Sequence, residues 1–248
     1  MTISVITVVL NARATIEDTI VSVLSQTYKG IEYIIIDGGS TDGTLDIVNK
    51  YKDRISKIIS ERDKGIYDGM NKGIGFASGD IIGILNSDDI YADKFVLEKV
   101  VKAIDENNND SCYGDLVYID KYDTNKIIRR WKSCEYKEDL LQKGWIPPHP
   151  SFFVKRSVYE ELGMYNLDFP LAADYDLMFR FLKRYKIKSC YIPHVLVKMR
   201  TGGSSNKGLV NIVQQNLEII RILKQNEMGN FFRFFWFKII DKLMQFRR

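Results

Sequence analysis

The chain has 248 residues, of which 45% are hydrophobic and 27% are charged, and its formal net charge is +4. These ordinary globular values exclude a largely disordered chain and leave room for one large domain with a substantial core. Cys112, Cys134 and Cys190 lie far apart without a CxxC spacing, which favours reduced thiols of a cytosolic protein over a disulfide framework or a zinc site. Neither a signal peptide nor a membrane-spanning helix is predicted, because the apolar runs are short and the first follows no basic segment.

The first half of the chain alternates between strand and helix patterns. An apolar, β-branched run at residues 4–10 predicts the first and central strand, and apolar residues at helical spacing follow it. Three further strands are predicted at 33–36, 55–60 and 80–85, with amphipathic helices between them. This alternation predicts a parallel sheet with right-handed crossovers.

After residue 89 the pattern becomes less regular. A proline-rich segment at 145–150 cannot be helical, because proline restricts both itself and the residue before it. The predicted helices are 95–104, one from residue 158, 168–185 and 209–224, and the predicted strands are 112–118, 126–131, 151–154 and 189–200. The strands 112–118 and 126–131 are close enough in the chain to pair as a hairpin.

Acidic residues follow several of the predicted elements. They are Asp37, Asp63, the adjacent pair Asp88 and Asp89, and Asp174. In an open α/β sheet, ligands bind at the carboxyl ends of the strands, so these carboxylates are expected to converge there. Adjacent carboxylates repel each other unless a proton or a cation relieves them, and a divalent cation would also hold a diphosphate. The alternative is that each acid caps a helix or forms a turn.

Six short motifs occur in an order and spacing that are typical of one enzyme family. They are SVITVVLN at 4–11, SQT at 25–27, IDGGSTDGT at 36–44, DKG at 63–65, NKG at 71–73 and LNSDD at 85–89. Residues 3–205 therefore resemble a family 2 glycosyltransferase with the GT-A fold. The resemblance implies an α/β fold with a Rossmann-like, mostly parallel central sheet flanked by helices. It also implies a nucleotide-sugar-binding half at 1–110 and an acceptor-binding and catalytic half at 111–208. The helical pattern that begins at residue 209 predicts, beyond the resemblance, a C-terminal helical, amphipathic tail at 209–248.

The resemblance assigns the donor nucleotide to residues near the strand ends. Val8 and Asn11 match the end of the first strand, where backbone groups meet the nucleotide. Asp37 matches the acid that accepts a ring N–H of the base, typically uracil, although Gly38 stands where many relatives carry a second acid. The further positions that match the donor pocket are Asp63 and Asn71.

The resemblance also implies the chemistry of transfer. Asp88 would lie near the ribose, and Asp88 and Asp89 would hold Mn²⁺ or Mg²⁺ against the diphosphate. Asp174 matches the base that takes the proton of the acceptor hydroxyl, while the hydroxyl oxygen attacks the anomeric carbon opposite the leaving group, an inverting transfer. The alternative is that Asp174 is only a helix N-cap; Asp176 is spaced to pair with Arg180.

Four residues of the second half are candidates for contacts with the acceptor or the diphosphate. Trp145 offers an apolar platform for a sugar ring, and His149 offers a neutral imidazole to a hydroxyl or to the diphosphate. Lys198 and Arg200 precede the glycine loop at 202–203 and would clamp the diphosphate when that loop closes. A structural or solvated role is the alternative for each.

The C-terminal segment 231–248 combines a wide aromatic face with basic residues. It is too charged to span a membrane but is suited to a helix in the interface of an anionic bilayer. This composition predicts a peripheral position on the inner face of the membrane and fits a lipid-linked acceptor. A helix docked on the core or on a second subunit, as in a homodimer, is the alternative.

The resemblance implies a hexosyl- or N-acetylhexosaminyl-transferase of bacterial polysaccharide synthesis, with a UDP-sugar as the first candidate donor, and the cysteine usage favours a cytoplasmic protein. Two alternatives stay open. A nucleotidyltransferase would need a glycine-rich, basic phosphate loop after the first strand, which residues 11–13 do not supply, and a non-catalytic sugar-nucleotide-binding protein would not need Asp174. Nucleic-acid binding is not expected, because no basic stripe runs through the sheet region.

Overall fold

The computed structural model describes residues 1–142, 145–202 and 209–226. Its strands are β1 (Ile3–Val9), β2 (Ile31–Asp37), β3 (Lys57–Ser60), β4 (Ile81–Ile84), β5 (Ile90–Tyr91), β6 (Ser111–Ile119), β7 (Ile127–Trp131), β8 (Phe152–Lys155) and β9 (Ser189–Arg200). Its α-helices are α1 (Ile16–Leu24), α2 (Thr44–Asn49), α3 (Ile66–Phe76), α4 (Val96–Asp105), α5 (Glu138–Gln142), α6 (Arg156–Leu162), α7 (Ala173–Phe179) and α8 (Leu209–Gln225). Short 3-10 turns lie at Lys52–Arg54 and His149–Ser151, and a π-helical turn at Arg180–Arg184 continues α7.

These strands join in one mixed sheet with the order β3, β2, β1, β4, β8, β6, β9, β5, and β7 pairs with the C-terminal half of β6. Strands β1 to β4 are mutually parallel. Strand β8 runs antiparallel to both β4 and β6, β9 runs parallel to β6, and β5 runs antiparallel to β9. The sheet therefore has a parallel part built by β1 to β4 and a mixed part built by the later strands.

The sheet separates two apolar cores, because successive side chains of a strand point to opposite faces. In β1, Ile6 and Val8 face the core that α3, α6, α7 and α8 cover. Val5 and Val9 face the other core, which α1, α2 and α4 cover. Both faces of the central strands are thus buried, which is why these strands read as continuous apolar runs in the sequence.

The predicted α/β fold with a central sheet flanked by helices is confirmed. Strands β1 to β4 lie at the predicted apolar runs, and β6 and β7 pair as the predicted hairpin. The sequence pattern does not predict β5 and α5, because elements of two and five residues are too short to show a period. It also merges α7 with the chain before it and the π-helical turn after it into one long helix at 168–185.

None of the helices in the described ranges has the length and apolar content that a bilayer crossing requires. The predicted amphipathic tail at 231–248 lies outside the described residues. The division into halves at 1–110 and 111–208, with a C-terminal part from 209, stays a prediction. The two halves share the one sheet, because β4 pairs directly with β8.

Candidate functional site

The parallel strands end along one edge of the sheet, and that edge gathers most of the residues predicted to function. Strands β1, β2 and β4 end at Val9, Asp37 and Ile84, and helix α3 begins at the same edge after β3. Because β8 runs opposite to β4, the turn His149–Ser151 that precedes β8 lies at this edge and contacts β4. The two halves of the chain therefore meet at the position where open α/β sheets bind ligands.

Asp37 organises the glycine-rich loop that follows β2. Its buried carboxylate accepts hydrogen bonds from the backbone N–H of Gly39 at 3.1 Å and of Ser40 at 3.1 Å. The hydroxyl of Ser60, at the end of β3, donates a third bond at 2.7 Å. The carboxylate is thus engaged within the protein and holds the loop in place, and its direct role as receptor of the base stays a prediction.

Asn11 fastens the end of β1 to the same loop. Its φ is +51°, a left-handed conformation that asparagine tolerates better than most residues. Its side-chain oxygen accepts the N–H of Thr41 at 2.9 Å, and its own N–H donates to the hydroxyl of Ser40 at 2.8 Å. These bonds bring the end of β1 beside the predicted nucleotide loop.

Val8, Gly38, Asp63 and Gly69 converge on one point at this edge. A Cβ atom on Gly38 would lie 2.5 Å from Oδ2 of Asp63. A Cβ on Gly69, in α3, would lie 2.6 Å from Cγ1 of Val8 and 3.4 Å from the same Asp63 oxygen. Asp63 therefore occupies the space that an acidic side chain at position 38 would need, which gives a physical reason for this departure from the family pattern.

Asn71 is fully engaged in joining α3 to the second half of the chain. Its amide nitrogen donates to the backbone oxygen of Tyr165 at 2.9 Å, and its amide oxygen accepts the backbone N–H of Tyr165 at 2.9 Å. Both polar groups of the side chain are thereby paired with protein backbone. The geometry favours a positioning role for Asn71 over the predicted direct contact with the donor.

The adjacent carboxylates Asp88 and Asp89 have different surroundings. Asp89 is fully buried, and its oxygens accept hydrogen bonds from the side-chain amide of Asn86 at 3.0 Å and the backbone N–H of Arg200 at 3.3 Å. Burial, followed by the charge of Asp88, raises the pKa of Asp89 well above its usual value. Asp88 is only partly buried, and burial raises its pKa as well. Of the two, Asp88 is the carboxylate that a ligand can reach.

Arg200 holds this acidic loop from inside the protein. Its guanidinium donates to the backbone oxygens of Asp88 and Lys121, each at 3.0 Å, and forms an ion pair with Asp18. With 5% of its surface exposed, Arg200 is built into the fold, and this geometry does not favour the predicted mobile clamp. Lys198 is partly exposed opposite Ile90 in β5 and stays a candidate for the diphosphate.

The residues around Asp88 fit a hard divalent cation. The side-chain oxygen Oδ1 of Asn86 is buried and has no hydrogen-bond partner. Together with the carboxylate of Asp88 it supplies the oxygen ligands that Mg²⁺ and Mn²⁺ prefer. Within the described ranges, no group of three or more His, Cys, Asp or Glu side chains is placed to hold a metal. A cation here would therefore take further ligands from a bound diphosphate and from water, as is usual for Mg²⁺.

Asp174 lies in the first turn of α7 beside polar aromatic residues. The hydroxyl of Tyr67 hydrogen-bonds its carboxylate, and burial, followed by the charge of Asp174, raises the pKa of Tyr67 well above its usual value. The backbone N–H of Tyr175 donates to Oδ1 of Asp174 at 2.8 Å. His149 is close enough for the charge of Asp174 to act on its imidazole, and burial, the larger effect, lowers the pKa of His149. Asp174 itself is partly exposed, as a base must be.

Trp145 and His149 lie in the predicted acceptor-side segment but pack against protein. The ring of Trp145 meets the ring of Tyr113 edge to face, with their centroids 5.9 Å apart, and is partly buried against the core. His149 Nε2 lies 2.6 Å from the hydroxyl of Tyr165. The geometry therefore gives both residues a structural contact, and their contact with an acceptor stays a prediction.

Comparison with known proteins identifies the family. Residues 4–163 match the family model described as Glycosyl transferase family 2. The chain belongs to glycosyltransferase family 2. It is 32% identical over 209 residues to a PGL/p-HBAD biosynthesis glycosyltransferase of Mycobacterium bovis, and the alignment covers 82% of this chain and 78% of the relative. These matches make this chain a glycosyltransferase, as the sequence motifs predict.

Solved structures give this family 2 glycosyltransferase the GT-A fold. TarS of S. aureus matches with a TM-score of 0.67 and 17% identity, covering 90% of this chain and 40% of TarS. The mannosyltransferase PcManGT of Pyrobaculum calidifontis, in complex with GDP-Man and Mn²⁺, matches with a TM-score of 0.66 and 16% identity, covering 92% of this chain and 64% of PcManGT. This chain thus spans less than two thirds of either structure, and at such identities the likeness concerns the fold.

In this family 2 glycosyltransferase, Tyr67 and Tyr165 lie beside the candidate base, and the sequence motifs predict neither of them. Tyr67 is four residues before Asn71, so both lie on one face of α3, and that spacing is the signal that could have identified it. Tyr165 contacts Asn71 across 94 positions of the chain, and no local pattern reports such a contact.

Proposed function

We propose that this chain is a metal-dependent, inverting glycosyltransferase that moves one sugar from a nucleoside diphosphate sugar to a hydroxyl group of a glycan. The observation that carries the proposal is the shared sheet edge, along which the loop after β2, Asp88 after β4 and Asp174 on α7 all lie. Glycosyl transfer needs a donor site, a site for the leaving diphosphate and a base at one place.

The donor site of this proposal is the corner formed by Val8, Asn11, Asp63 and the glycine-rich loop. Loops that follow parallel strands at the sheet edge are the usual place for a nucleotide in open α/β folds. Two proteins of similar fold hold UDP-GlcNAc and GDP-Man respectively, which supports a nucleoside diphosphate sugar as the class of donor. A UDP-sugar is the first candidate, because the resemblance assigns Asp37 to uracil.

Asp174 is the base of the proposed reaction. The oxygen of the acceptor hydroxyl forms a bond to the anomeric carbon while the bond from that carbon to the diphosphate oxygen breaks, and the hydroxyl proton passes to the Asp174 carboxylate. Attack from the face opposite the leaving group inverts the configuration of the anomeric carbon. The products are the glycosylated acceptor and the nucleoside diphosphate.

Asp88 and Oδ1 of Asn86 would hold the Mn²⁺ or Mg²⁺ ion, because one is reachable and the other is buried without a partner. When bound, such an ion neutralises the negative charge that develops on the leaving diphosphate. Asp89, which is buried and hydrogen-bonded by Asn86 and Arg200, would keep the loop in shape. Asp89 as a metal ligand stays a prediction that substitution can test.

The acceptor of the proposed reaction is a lipid-linked glycan in cell-surface polysaccharide synthesis, used at the inner face of the membrane. Trp145, His149 and Lys198 are the acceptor-side or diphosphate candidates at the site. The support for membrane contact is the basic and aromatic composition of segment 231–248. A homodimer is the alternative use of that segment.

A donor screen tests the proposed function. The purified chain is incubated with UDP-, GDP- and dTDP-sugars, and release of nucleoside diphosphate is measured with EDTA, with Mn²⁺ and with Mg²⁺. We expect slow hydrolysis of one nucleotide class that EDTA abolishes and added Mn²⁺ or Mg²⁺ restores. Full turnover in EDTA contradicts the metal dependence, and retention of the anomeric configuration in a glycosylated product, read by NMR, contradicts inversion.

A further inference from the structure

The candidate base is held by a cluster of polar aromatic side chains that the proposed chemistry does not use directly. The members of this aromatic cluster are Tyr67, His149, Tyr159 and Tyr165. They come from α3, from the turn before β8, from α6 and from the segment before α7. Three of these residues, Tyr67, His149 and Tyr165, are close enough for the charge of Asp174 to act on them, and Tyr159 joins the cluster through Tyr165.

Tyr67 is the member that touches Asp174. Its phenol hydroxyl hydrogen-bonds the carboxylate, and burial keeps the phenol protonated, so that it acts as a constant donor. A carboxylate that also accepts the N–H of Tyr175 at 2.8 Å is restricted in rotation by two donors from different elements. The charged and titratable groups that face this pair are His149, Tyr165 and, on α8, Glu218.

Tyr67 is supported in turn by Tyr165. The two rings stack with their centroids 5.4 Å apart. The hydroxyl of Tyr165 lies 2.6 Å from Nε2 of His149 and also hydrogen-bonds Tyr159. The backbone of Tyr165 is gripped by Asn71, one helical turn after Tyr67 on α3. The Tyr67 ring is therefore held by its stack on Tyr165, and Tyr165 is held by Asn71 of the same helix as Tyr67.

The same helix reaches the donor corner. Gly69, two residues after Tyr67, lies against Val8 and Asp63. Helix α3 thus carries the contact to the donor corner at Gly69 and the contact to the base at Tyr67, two residues apart. A displacement of α3 would change the distance between these two sites, which transfer requires to be constant.

We propose that Tyr67 is a positioning residue for Asp174, held in place by its stack on Tyr165 and by the Tyr165–His149 hydrogen bond. The phenol hydroxyl directs the carboxylate toward the acceptor hydroxyl. This inference rests on the proposed function, because it assigns the aromatic cluster to the base of that reaction.

The test substitutes Tyr67→Phe, which removes the hydroxyl but keeps the ring stack. We expect kcat to fall roughly 10- to 100-fold with KM for the donor within about twofold, because misplacement of a catalytic group is costly to the rate. The control is Tyr185→Phe, an exposed tyrosine distant in sequence from the cluster.

Two results would overturn the positioning role. One is a Tyr67→Phe enzyme with unchanged kcat. The other is a loss of kcat accompanied by a lower melting temperature and by a rise in KM for the donor of the same factor, which would assign the hydroxyl to stability alone. Asp174→Asn is measured in parallel, since substantial transfer by that variant would refute the proposed base itself and not only the role of Tyr67.

A separate observation concerns the tip of the β6–β7 hairpin, residues 119–132, which is basic and partly apolar. Five of its residues are basic and two are acidic. The exposed side chains of this basic hairpin are Lys121, Tyr122, Asp123, Asn125, Lys126, Ile128, Arg130 and Lys132, of which four are basic and one is acidic. Tyr122 is 85% exposed and Ile128 is 42% exposed, so the apolar groups lie in solvent among the charges.

Hydrogen bonds join the start of the basic hairpin to residues at the sheet edge of the candidate site. The backbone oxygen of Lys121 accepts a hydrogen bond from Arg200 at 3.0 Å, and that of Ile119 accepts the N–H of Thr201 at 3.0 Å. Arg200 also binds the backbone of Asp88. A surface that docks on the hairpin would therefore have a fixed position relative to the site.

We infer that the basic hairpin docks on the anionic headgroups of a phospholipid bilayer. Lysine and arginine side chains near an anionic membrane are each attracted to its surface. An exposed tyrosine and isoleucine beside them are suited to the interface between headgroups and acyl chains, whereas a soluble polyanion would leave them in water. The fixed link to Arg200 would then hold the catalytic edge near a lipid-linked acceptor.

The test compares two charge reversals in the full chain by sedimentation with vesicles of phosphatidylcholine, alone or with phosphatidylglycerol. Arg130→Glu with Lys132→Glu should weaken binding to the anionic vesicles roughly tenfold or more. Lys50→Glu with Lys52→Glu, the control, makes the same change in net charge near the end of α2. Equal weakening by both pairs, or none by the first, overturns the inference, as does a hairpin variant that loses heparin binding but keeps vesicle binding. Metal-dependent hydrolysis of soluble donor should be unchanged in both variants.

Discussion

At the scale of single residues, the site depends on which carboxylate faces solvent. Asp88 is partly exposed beside the unpaired oxygen of Asn86, whereas Asp89 is buried and already accepts two N–H donors. Both neighbours are Asp, so the difference arises only from the fold around them. Their substitution should therefore have different consequences.

Asp88→Ala should lower metal-dependent donor hydrolysis at least about 100-fold while leaving the melting temperature nearly unchanged, because a reachable metal ligand is lost. Asp89→Ala should lower the free energy of unfolding by about 1–3 kcal/mol, because the buried N–H groups of Asn86 and Arg200 lose their acceptor. Urea unfolding and hydrolysis rates measure the two effects. If Asp88→Ala lowers the free energy of unfolding, and Asp89→Ala lowers hydrolysis without a loss of stability, then Asp89 and not Asp88 is the metal ligand.

Asp174→Asn should keep donor affinity within about twofold while transfer falls at least about 100-fold, because the amide accepts no proton at neutral pH. Donor affinity is measured by calorimetry and transfer by product formation. Asp168→Asn, an exposed carboxylate shortly before α7, is the matched control and should retain full activity. Loss of donor affinity together with transfer in Asp174→Asn would mean that the residue is structural.

The sequence motifs identify the acids of the site but not their surroundings. Asp63, Asp88 and Asp174 are recognisable from their motifs, and the structure brings their elements to one edge. Arg200 was expected to clamp a ligand, yet it binds Asp88 across 112 positions of the chain. Such long-range hydrogen bonds depend on the packed fold, and no local spacing encodes them.

At the scale of elements, helix α3 connects the donor corner to the base and packs closely on the sheet through glycine. A Cβ on Gly73 would overlap Ile6 of β1 and meet Ile36 of β2 at 3.3 Å. A Cβ on Gly75, in the same helix, would meet no atom within 4 Å. Alanine substitutions at the two positions therefore distinguish the effect of close packing of α3 on the sheet from the effect of helix propensity.

Gly73→Ala should lower the free energy of unfolding by about 1–3 kcal/mol, because the added methyl group forces α3 away from the sheet. Gly75→Ala should raise it by about 0.5–1 kcal/mol, because alanine is the better helix former. Chemical denaturation measures both. If the two variants have the same stability, α3 does not pack as closely on β1 as the structure indicates.

Glu32, at the start of β2, joins the other parallel strands at the edge opposite the site. Its carboxylate accepts hydrogen bonds from Ser4 of β1, Lys57 of β3 and Ser78 before β4. Burial alone would raise the pKa of Glu32, but these hydrogen bonds outweigh it and lower the pKa from the usual 4.5 to about 2. The charged form is therefore bound more favourably in the folded protein than in the unfolded chain.

The stability that Glu32 contributes should be complete above pH 4.5 and should be lost as the pH falls toward 2. Glu32→Gln should accordingly cost on the order of 1–3 kcal/mol of unfolding free energy at pH 7, and less at acidic pH. Urea denaturation across this range measures the difference. The exposed Glu161→Gln is the control, and a Glu32→Gln penalty that is constant with pH would contradict the linkage.

The elements that the sequence predicts best are those whose burial is uniform. Strands β1 and β4 are buried on both faces and appear as unbroken apolar runs, so their positions follow from the sequence. Strand β5 has two residues and exists because β9 pairs with it, which no local pattern indicates. The π-helical turn after α7 likewise has no sequence signal of its own.

At the scale of the whole molecule, the mixed sheet brings two parts of the chain to the candidate site. The parallel strands carry the proposed donor corner. The later part carries Asp174 and His149, the proposed base and acceptor-side candidate, and the antiparallel pairing of β4 with β8 brings the segment of His149 to the same edge. The first part follows a regular pattern that a sequence reveals. The second depends on strand order, which motif spacing does not determine.

Segment 231–248 lies outside the described residues and is rich in aromatic and basic residues. Deleting it should reduce sedimentation of the protein with anionic vesicles, because both apolar insertion and charge attraction are lost. Hydrolysis of soluble donor should stay within about twofold of that of the full chain. The reason is that all candidate residues for donor binding, metal binding and proton transfer lie between Val8 and Arg200. Unchanged sedimentation would assign the segment to another role, and a truncated protein that changes from dimer to monomer in ultracentrifugation would identify that role as a subunit contact. The Arg130→Glu and Lys132→Glu pair, combined with the deletion, should lower vesicle binding further, because two separate contacts with one surface reinforce each other.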